Sequence, residues 1–541
     1  MTMGRQEIFL TCGADASLAV HGCVLFDTAQ AAGPVIKAIL SAVKTSAPSD
    51  PLALCLQLIQ GGGPQVAQDA LATLSPAWRD HAIASVYAVL MPEGRRKRLG
   101  AYFTPPHLVN HLVERLKAFG LDLSQDRVRD PAAGGAAFLV PLARRKVALW
   151  REAGVNDRKI VELLSTQLRG GEIDQGLAQL ANALLKRMLT EEFGMVRDLV
   201  DDLEIVVTGD SLGDSSAVLP KIDHEIGNPP YLRLPRSLEP ARQAEFDDIS
   251  NGRLNLYAMF LRRALDHVPP GGLVGYVIPA SFLGGPEFRA FRATIVQLAE
   301  VLVVDLIEKR SDVFLDATQD ACFLVLRRRT SPLADNVHLT ASSGLLEGDG
   351  TFRALGKAMV QRGGAPWRLP GAELAGSATL STWGYRATIG YLVANRQTDR
   401  LHLEPGPDRY PLIWAKAISP EGVFDFNRGL QHKKSGWVDA PDTAAYIIRT
   451  ECVAIQRTSS RGQRRRLTAA AISGAFVEQH RGIVAENHVI LLVPTRPDAV
   501  SSTVLASVLN DATVSEELDR ICGSASISAR LLESLRLPDP P

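Results

Sequence analysis

Apolar positions along this chain follow two rhythms in succession. Residues 1 to about 90 place small and apolar side chains at helical spacing, as in "PLALCLQLIQ" and "HAIASVYAVL", and predict a helical lead-in. From Val128 to Arg329 the rhythm changes to short β runs: "RVRD", "LRGGEID", "LEIVVTGD", "KIDHEIGN", "GGLVGYVIP", "VLVVDLIE" and "ACFLVLRRR". Helical stretches such as "GLAQLANALLKRML" and "LYAMFLRRALDHV" lie between them. Such alternation predicts an α/β fold with a mostly parallel sheet wrapped by helices, in which ligands gather at the carboxyl ends of the strands. Beyond about residue 335 the pattern gives way to Gly-rich loops and resumes with "YIIRTECVAIQRTSS" and "ENHVILLVP", which predict a further α/β domain. The expected divisions are a helical segment over 1–93, a central domain over 94–334 and a last domain over 335–541.

Composition narrows the class only a little. Of 541 residues, 46% are hydrophobic and 22% charged, which is globular rather than disordered. The 59 acidic and 59 basic side chains cancel, so attraction to a polyanion must come from local clustering. One such cluster is "QRTSSRGQRRRL", and between Arg449 and Arg466 six arginines face one glutamate. The six cysteines are scattered without a CxxC pair and without histidines at metal-ligand spacing, so they read as reduced core thiols and no metal is expected. A signal peptide and a membrane-length apolar run are both lacking, and a cytoplasmic protein without membrane contact is expected.

Candidate chemistry concentrates at the strand ends. Asp130, Glu172, Asp210 and Asn228 each terminate or nearly terminate a different predicted strand. For a nucleotide-like cofactor lying across those ends, Glu172 is placed to accept from ribose hydroxyls and Asp210 from an exocyclic adenine amine. The small residues of "DPAAGGAAFL" permit close backbone approach. In "NPPY", prolines 229 and 230 force a strand exit, which leaves the Asn228 side-chain oxygen and the Pro229 carbonyl as two acceptors. An aromatic amine becomes nucleophilic only as it turns pyramidal, and acceptors around its hydrogens stabilise the charge that then develops. Tyr231 offers a stacking face for a base, which in duplex DNA must first be flipped out.

These motifs resemble those of the gamma-class N6-adenine DNA methyltransferases of bacterial restriction-modification systems, over about Leu99 to Arg329. "GAYFTPPHLVNHLV" is similar to the family's amino-terminal cofactor motif, "DPAAGGAAFL" to its first cofactor motif, "EID" to the ribose-binding acid, "GDSL" to the adenine-binding acid and "NPPY" to the catalytic tetrapeptide. The resemblance implies a Rossmann-like class I methyltransferase domain, preceded by the helical segment and followed by a target-recognition domain. It further implies S-adenosylmethionine held by Thr104, Asp130, Ala132, Gly134, Glu172, Ile173, Asp210 and Pro230. Asn228, Pro229 and Tyr231 would serve the reaction, with Phe314 as a second aromatic around the flipped adenine. Arg461, Arg464, Arg465 and Arg466 are expected on double-stranded DNA, with a separate restriction endonuclease as a further partner. The chain departs from the family pattern at Ala133, where cysteine is usual, and at Ala136, where glycine is usual. A left-handed backbone at Ala136 would strain the loop by about 1–2 kcal/mol. The alternatives are an N-methyltransferase acting on protein glutamine or ribosomal RNA, and a non-catalytic DNA-binding subunit that kept the fold.

Overall fold

The computed structural model describes residues 26–541 apart from 46–49, 100–102, 214–220, 235–239, 253, 309–319, 335–337, 372–373, 375, 432–434, 460–464 and 522–526. Phe314, Arg461 and Arg464 lie outside the described residues. The apolar helical spacing of the lead-in becomes α1 (Ala29–Thr45), α2 (Pro51–Ile59), α3 (Gln65–Ala72), α4 (Pro76–Leu90) and α5 (Glu93–Leu99). Asp50 caps α2 by accepting from the N–H groups of Leu52 and Ala53 at 2.9 and 3.2 Å, with Pro51 in the first turn where no N–H is needed. From Ala82 to Ala88 every residue of α4 is buried, so this helix lies inside the molecule rather than on its surface. No helix of the described residues is long and apolar enough to cross a membrane.

The seven predicted strands all form. They are β1 (Val128–Asp130), β2 (Leu168–Glu172), β3 (Val206–Thr208), β4 (His224–Gly227), β5 (Leu273–Pro279), β6 (Ala299–Ile307) and β7 (Ala321–Arg328). They join β8 (Leu339–Leu346) and β9 (Phe352–Val360) in one sheet of order β3-β2-β1-β4-β5-β7-β6-β8-β9. The β3-to-β5 half is parallel throughout, with Val128 beside both Leu168 and His224. Helices α6 (Pro106–Ala118), α7 (Leu139–Glu152), α8 (Asp157–Gln167) and α9 (Gln175–Arg187) occupy the chain on either side of β1 and β2. The expected boundary at 334 falls inside this sheet and is corrected to beyond Val360. "LTASSGLL" and "FRALGKAMV" are too rich in small and polar residues to announce strands, yet β8 pairs in parallel with β6 and β9 closes the edge.

The rest of the chain builds two smaller sheets. One, in the order β10-β17-β14-β15, comprises β10 (Tyr385–Ile389), β14 (Cys452–Gln456), β15 (Ala469–Ile472) and β17 (Val489–Pro494). The other, in the order β11-β13-β12-β16, comprises β11 (Leu401–His402), β12 (Arg409–Ile413), β13 (Trp437–Asp439) and β16 (Val484–Ala485). The helix Ala512–Ile521 ties this part to the first sheet: Glu517 pairs with Arg368, the Arg520 carbonyl accepts from the Leu369 N–H, and the Arg520 side-chain Nε donates to the Leu369 carbonyl. Cys55, Cys322 and Cys452 are buried and form no disulfide among the described residues.

Candidate active site

The chain leaves β1 for β2 on one side and reaches β4 on the other, so a crevice opens at the carboxyl ends of these two strands. Gly227 lets them close: a Cβ there would stand 2.8 Å from Asp130 Oδ1. Asp130, at 1% exposure, accepts from the N–H of Ala132 at 3.1 Å. Burial holds its carboxyl well above the ordinary carboxylate range, and the charges of Glu225 and Glu172 push the same way.

The loop after β1 turns tightly toward α7. Gly134 has φ 51°, and a Cβ on it would meet the Phe103 ring at 2.9 Å. Ala136 has φ 58° and is 1% exposed, which is the strained geometry that its methyl group makes costly. Glu172 braces this loop from β2. Its Oε2 accepts from the Gly134 N–H at 2.8 Å and its Oε1 from the Asp174 N–H at 2.9 Å. Burial raises its carboxyl above the usual range, and those two N–H groups act in the opposite direction. Asp210 accepts from the Leu212 N–H at 3.0 Å.

Asn228 follows β4 directly. Its Nδ2 donates to Thr104 Oγ1 at 3.0 Å, which fixes the amide, and its Oδ1 is buried with no hydrogen-bond partner among the described residues. An acceptor left in that state costs about 1–3 kcal/mol unless something donates to it. A threonine before two prolines is placed to cap the helix that follows, but Pro105 occupies the cap position of α6 and the Thr104 hydroxyl accepts from Asn228 instead. The helix is held in place by His111 and Arg115, which pair with the fully buried Asp305 on β6 at 2.9 and 2.6 Å. Pro229 is buried, while Tyr231 is half-buried with its hydroxyl donating to the Val277 carbonyl at 3.1 Å.

One cleft collects nine of the expected residues: Thr104, Asp130, Ala132, Gly134, Glu172, Ile173, Asp210, Asn228 and Pro230. Sequence reasoning missed its apolar lining, Phe103, Leu256 and Phe260, because a lone aromatic or leucine in a helix reads as core. It also missed the link from the lead-in: Tyr87 Oη donates to Asp174 Oδ1 at 2.9 Å and Arg95 Nη2 to Asp174 Oδ2 at 2.6 Å. Asp174 in turn presents its N–H to Glu172, so α4 and α5 support the acid at the end of β2. The expected arginine patch needs correcting at Arg466. That side chain is 2% exposed, donates to the Ser459 carbonyl and pairs with Asp519 at 2.7 Å, so it is a structural pin rather than a surface cation. Arg465 is half-buried, with Nη1 3.4 Å from the Glu421 carbonyl.

Residues 214–314, which carry "NPPY", match the Eco57I restriction-modification methylase family. The strand order and the solved neighbour described next make the fold a Rossmann-like α/β one. The type IIL restriction-modification enzyme MmeI, solved in complex with DNA, superposes with a TM-score of 0.53 at 15% identity over 86% of this chain and 72% of that one. Type II methyltransferase M.PaeR7I of Pseudomonas aeruginosa is 25% identical over 308 residues, covering 52% of each chain. Type II methyltransferase M.XhoI of Xanthomonas vasicola is 29% identical over 194 residues, or 35% of this chain and 34% of that protein. The chain thus matches between a third and about half the length of these curated relatives.

Proposed function

We propose that this chain is an S-adenosylmethionine-dependent methyltransferase that modifies adenine N6 in duplex DNA, as the modification part of a restriction-modification system. The observation that carries the reading is the buried Oδ1 of Asn228, which has no hydrogen-bond partner among the described residues and belongs to an amide fixed by Thr104 in the lining of a cleft with strand-end acids. The cleft fits the cofactor in chemical terms. Glu172 keeps lone pairs beyond those its two backbone bonds use, as a ribose diol requires, and Phe103 and Phe260 offer apolar walls. The cofactor, when bound, supplies an electrophilic methyl group. Everything else falls to the chain. Asn228 Oδ1 and the Pro229 carbonyl accept from the two hydrogens of the incoming amine and favour its pyramidal, nucleophilic form. Tyr231 presents a ring beside them, steadied by Val277.

Single-turnover methylation tests this directly. Asn228→Ala should lower the rate about 10²–10³-fold, by analogy with removing one oxyanion-hole contact, while DNA and cofactor affinities stay near the parent's. Asn228→Asp, which still accepts, should retain more activity than alanine. A rate for Asn228→Ala within a fewfold of the parent's would reduce the amide to a strand terminator. A second reading, a non-catalytic subunit, is favoured by one observation, the left-handed Ala136 in the cofactor loop. Titration with S-adenosylmethionine separates the two, since that subunit should bind none.

A further inference from the structure

One corner of the sheet β10-β17-β14-β15 brings three separate chain segments together. Tyr391 lies two residues past β10, His488 one residue before β17 and Arg457 one residue after β14. Backbone bonds lock them side by side. Gly390 donates to the Val489 carbonyl at 2.8 Å, Asn487 to the Leu392 carbonyl at 2.8 Å and Arg457 to the His488 carbonyl at 2.9 Å. Arg457 also donates from Nη1 to the Asn487 carbonyl at 3.0 Å and leads straight into "TSSRGQRRR".

Tyr391 is 50% exposed yet not free to move. Its ring lies on Tyr446 with centroids 3.9 Å apart and planes inclined by 1°. Parallel stacking of this kind is a favoured aromatic arrangement. Arg400 fixes the lower ring. Its guanidinium carbon lies 5.9 Å from the Tyr446 centroid, and its Nη2 donates to the Tyr446 hydroxyl at 2.8 Å and to the Asp439 carbonyl at 2.7 Å. The result is a rigid aromatic surface whose immobilisation is complete before any partner arrives, the property that makes tyrosine effective at binding surfaces. Its position is also informative. Thr388 and Ile389, just before it on β10, line a cleft of about 1270 Å³ whose other walls include Arg289 and Arg530. Glu287, from the same cleft, pairs at 2.6 Å with Arg233, two residues after "NPPY".

We infer that this corner contacts the DNA: the Tyr391 ring packs on an unstacked base of the bound duplex, beside the exposed His488, whose Nδ1 is held 2.6 Å from Glu486. The inference rests on the DNA reading above and deepens it by naming the aromatic contact. The stacked tyrosines supply the apolar surface that bases use, and the exposed Arg289 and Arg530 of the adjoining cleft supply the charge that backbones require.

The test uses the full chain and a short duplex carrying the sequence that the parent chain methylates, mapped on treated genomic DNA. Tyr391→Leu keeps an apolar side chain against Tyr446 but has no π-face, so it guards against loss of fold. It should bind the duplex about tenfold more weakly, as should Tyr391→Ala, while Tyr391→Phe and Tyr391→Trp stay close to the parent. Because no charge is removed, the slope of log affinity against log salt should not change, and cofactor affinity should be the parent's. Parent-like DNA affinity in Tyr391→Leu overturns the inference and leaves the methyltransferase reading intact. A parent chain that binds no duplex overturns both.

Discussion

Glu172 in the cleft and Arg466 in the C-terminal part are both nearly fully buried charged side chains, 7% and 2% exposed, yet they stand in opposite situations. Glu172 accepts from two backbone N–H groups that shape a loop, and a carboxylate offers about four acceptor sites, so it holds the loop and can still receive a ligand. Arg466 donates to Ser459 and pairs with Asp519. Its charge ties Ser459 to Asp519 and is withdrawn from solvent. A buried charge is therefore a binding group only when its structural bonds leave capacity unused. The exposed face of Tyr391, which carries no charge at all, is a better candidate contact than the arginine the run pointed to.

That contrast can be broken from either side. If Arg466 is a pin, Arg466→Gln should lower stability by about 2–3 kcal/mol, below the upper range for splitting a buried pair because Asp519 is 38% exposed. The slope of DNA affinity against salt should stay at the parent's value. A slope reduced by about 0.9 with unchanged stability would return Arg466 to the phosphate contacts. On the cleft side, Glu172→Ala should weaken S-adenosylmethionine binding by about 2 kcal/mol, the range for a lost charge-assisted hydrogen bond. Titration calorimetry reads it, and unchanged affinity would mean that Glu172 serves the loop alone. The smallest effect is expected at Ala136, where Ala136→Gly removes the left-handed penalty and should raise thermal stability by about 1 kcal/mol. Tighter cofactor binding in the same variant would locate the strain in the binding conformation. No gain in either would mean that the loop relaxes around the methyl.

How much of this could be read beforehand depended on the kind of signal. Asp130, Glu172 and Asn228 were legible because a parallel strand ends where its apolar run ends, and topology then brings the ends together whatever lies between them. The Ala136 strain was legible only as a condition, from the glycine that the resembled family carries there, and the close approach at Gly227 was not legible at all. Thr104 was legible as a site residue but not in its bond, since a threonine before two prolines looks like a cap until Asn228 is seen beside it. The β8 and β9 strands were hidden because their small and polar residues carry no β signature, and their pairing with β6 decides the outcome. Tyr446 lies far in sequence from Tyr391 and Arg400, all in unremarkable surroundings, so only the folded chain brings them into one stack. The support of Glu172 by Tyr87 and Arg95 was illegible for the same reason.

That support gives the helical lead-in an energetic role. Arg95, about half exposed, grips one oxygen of the nearly inaccessible Asp174, and Tyr87 grips the other. Any ligand that engages Glu172 favours the conformation in which Asp174 presents its N–H, and so favours the seating of α4 and α5. Linkage makes the exchange reciprocal: whatever loosens those helices weakens the ligand by the same free energy. Protection of the lead-in from proteolysis therefore becomes a gauge of occupancy in a cleft on the other side of Asp174.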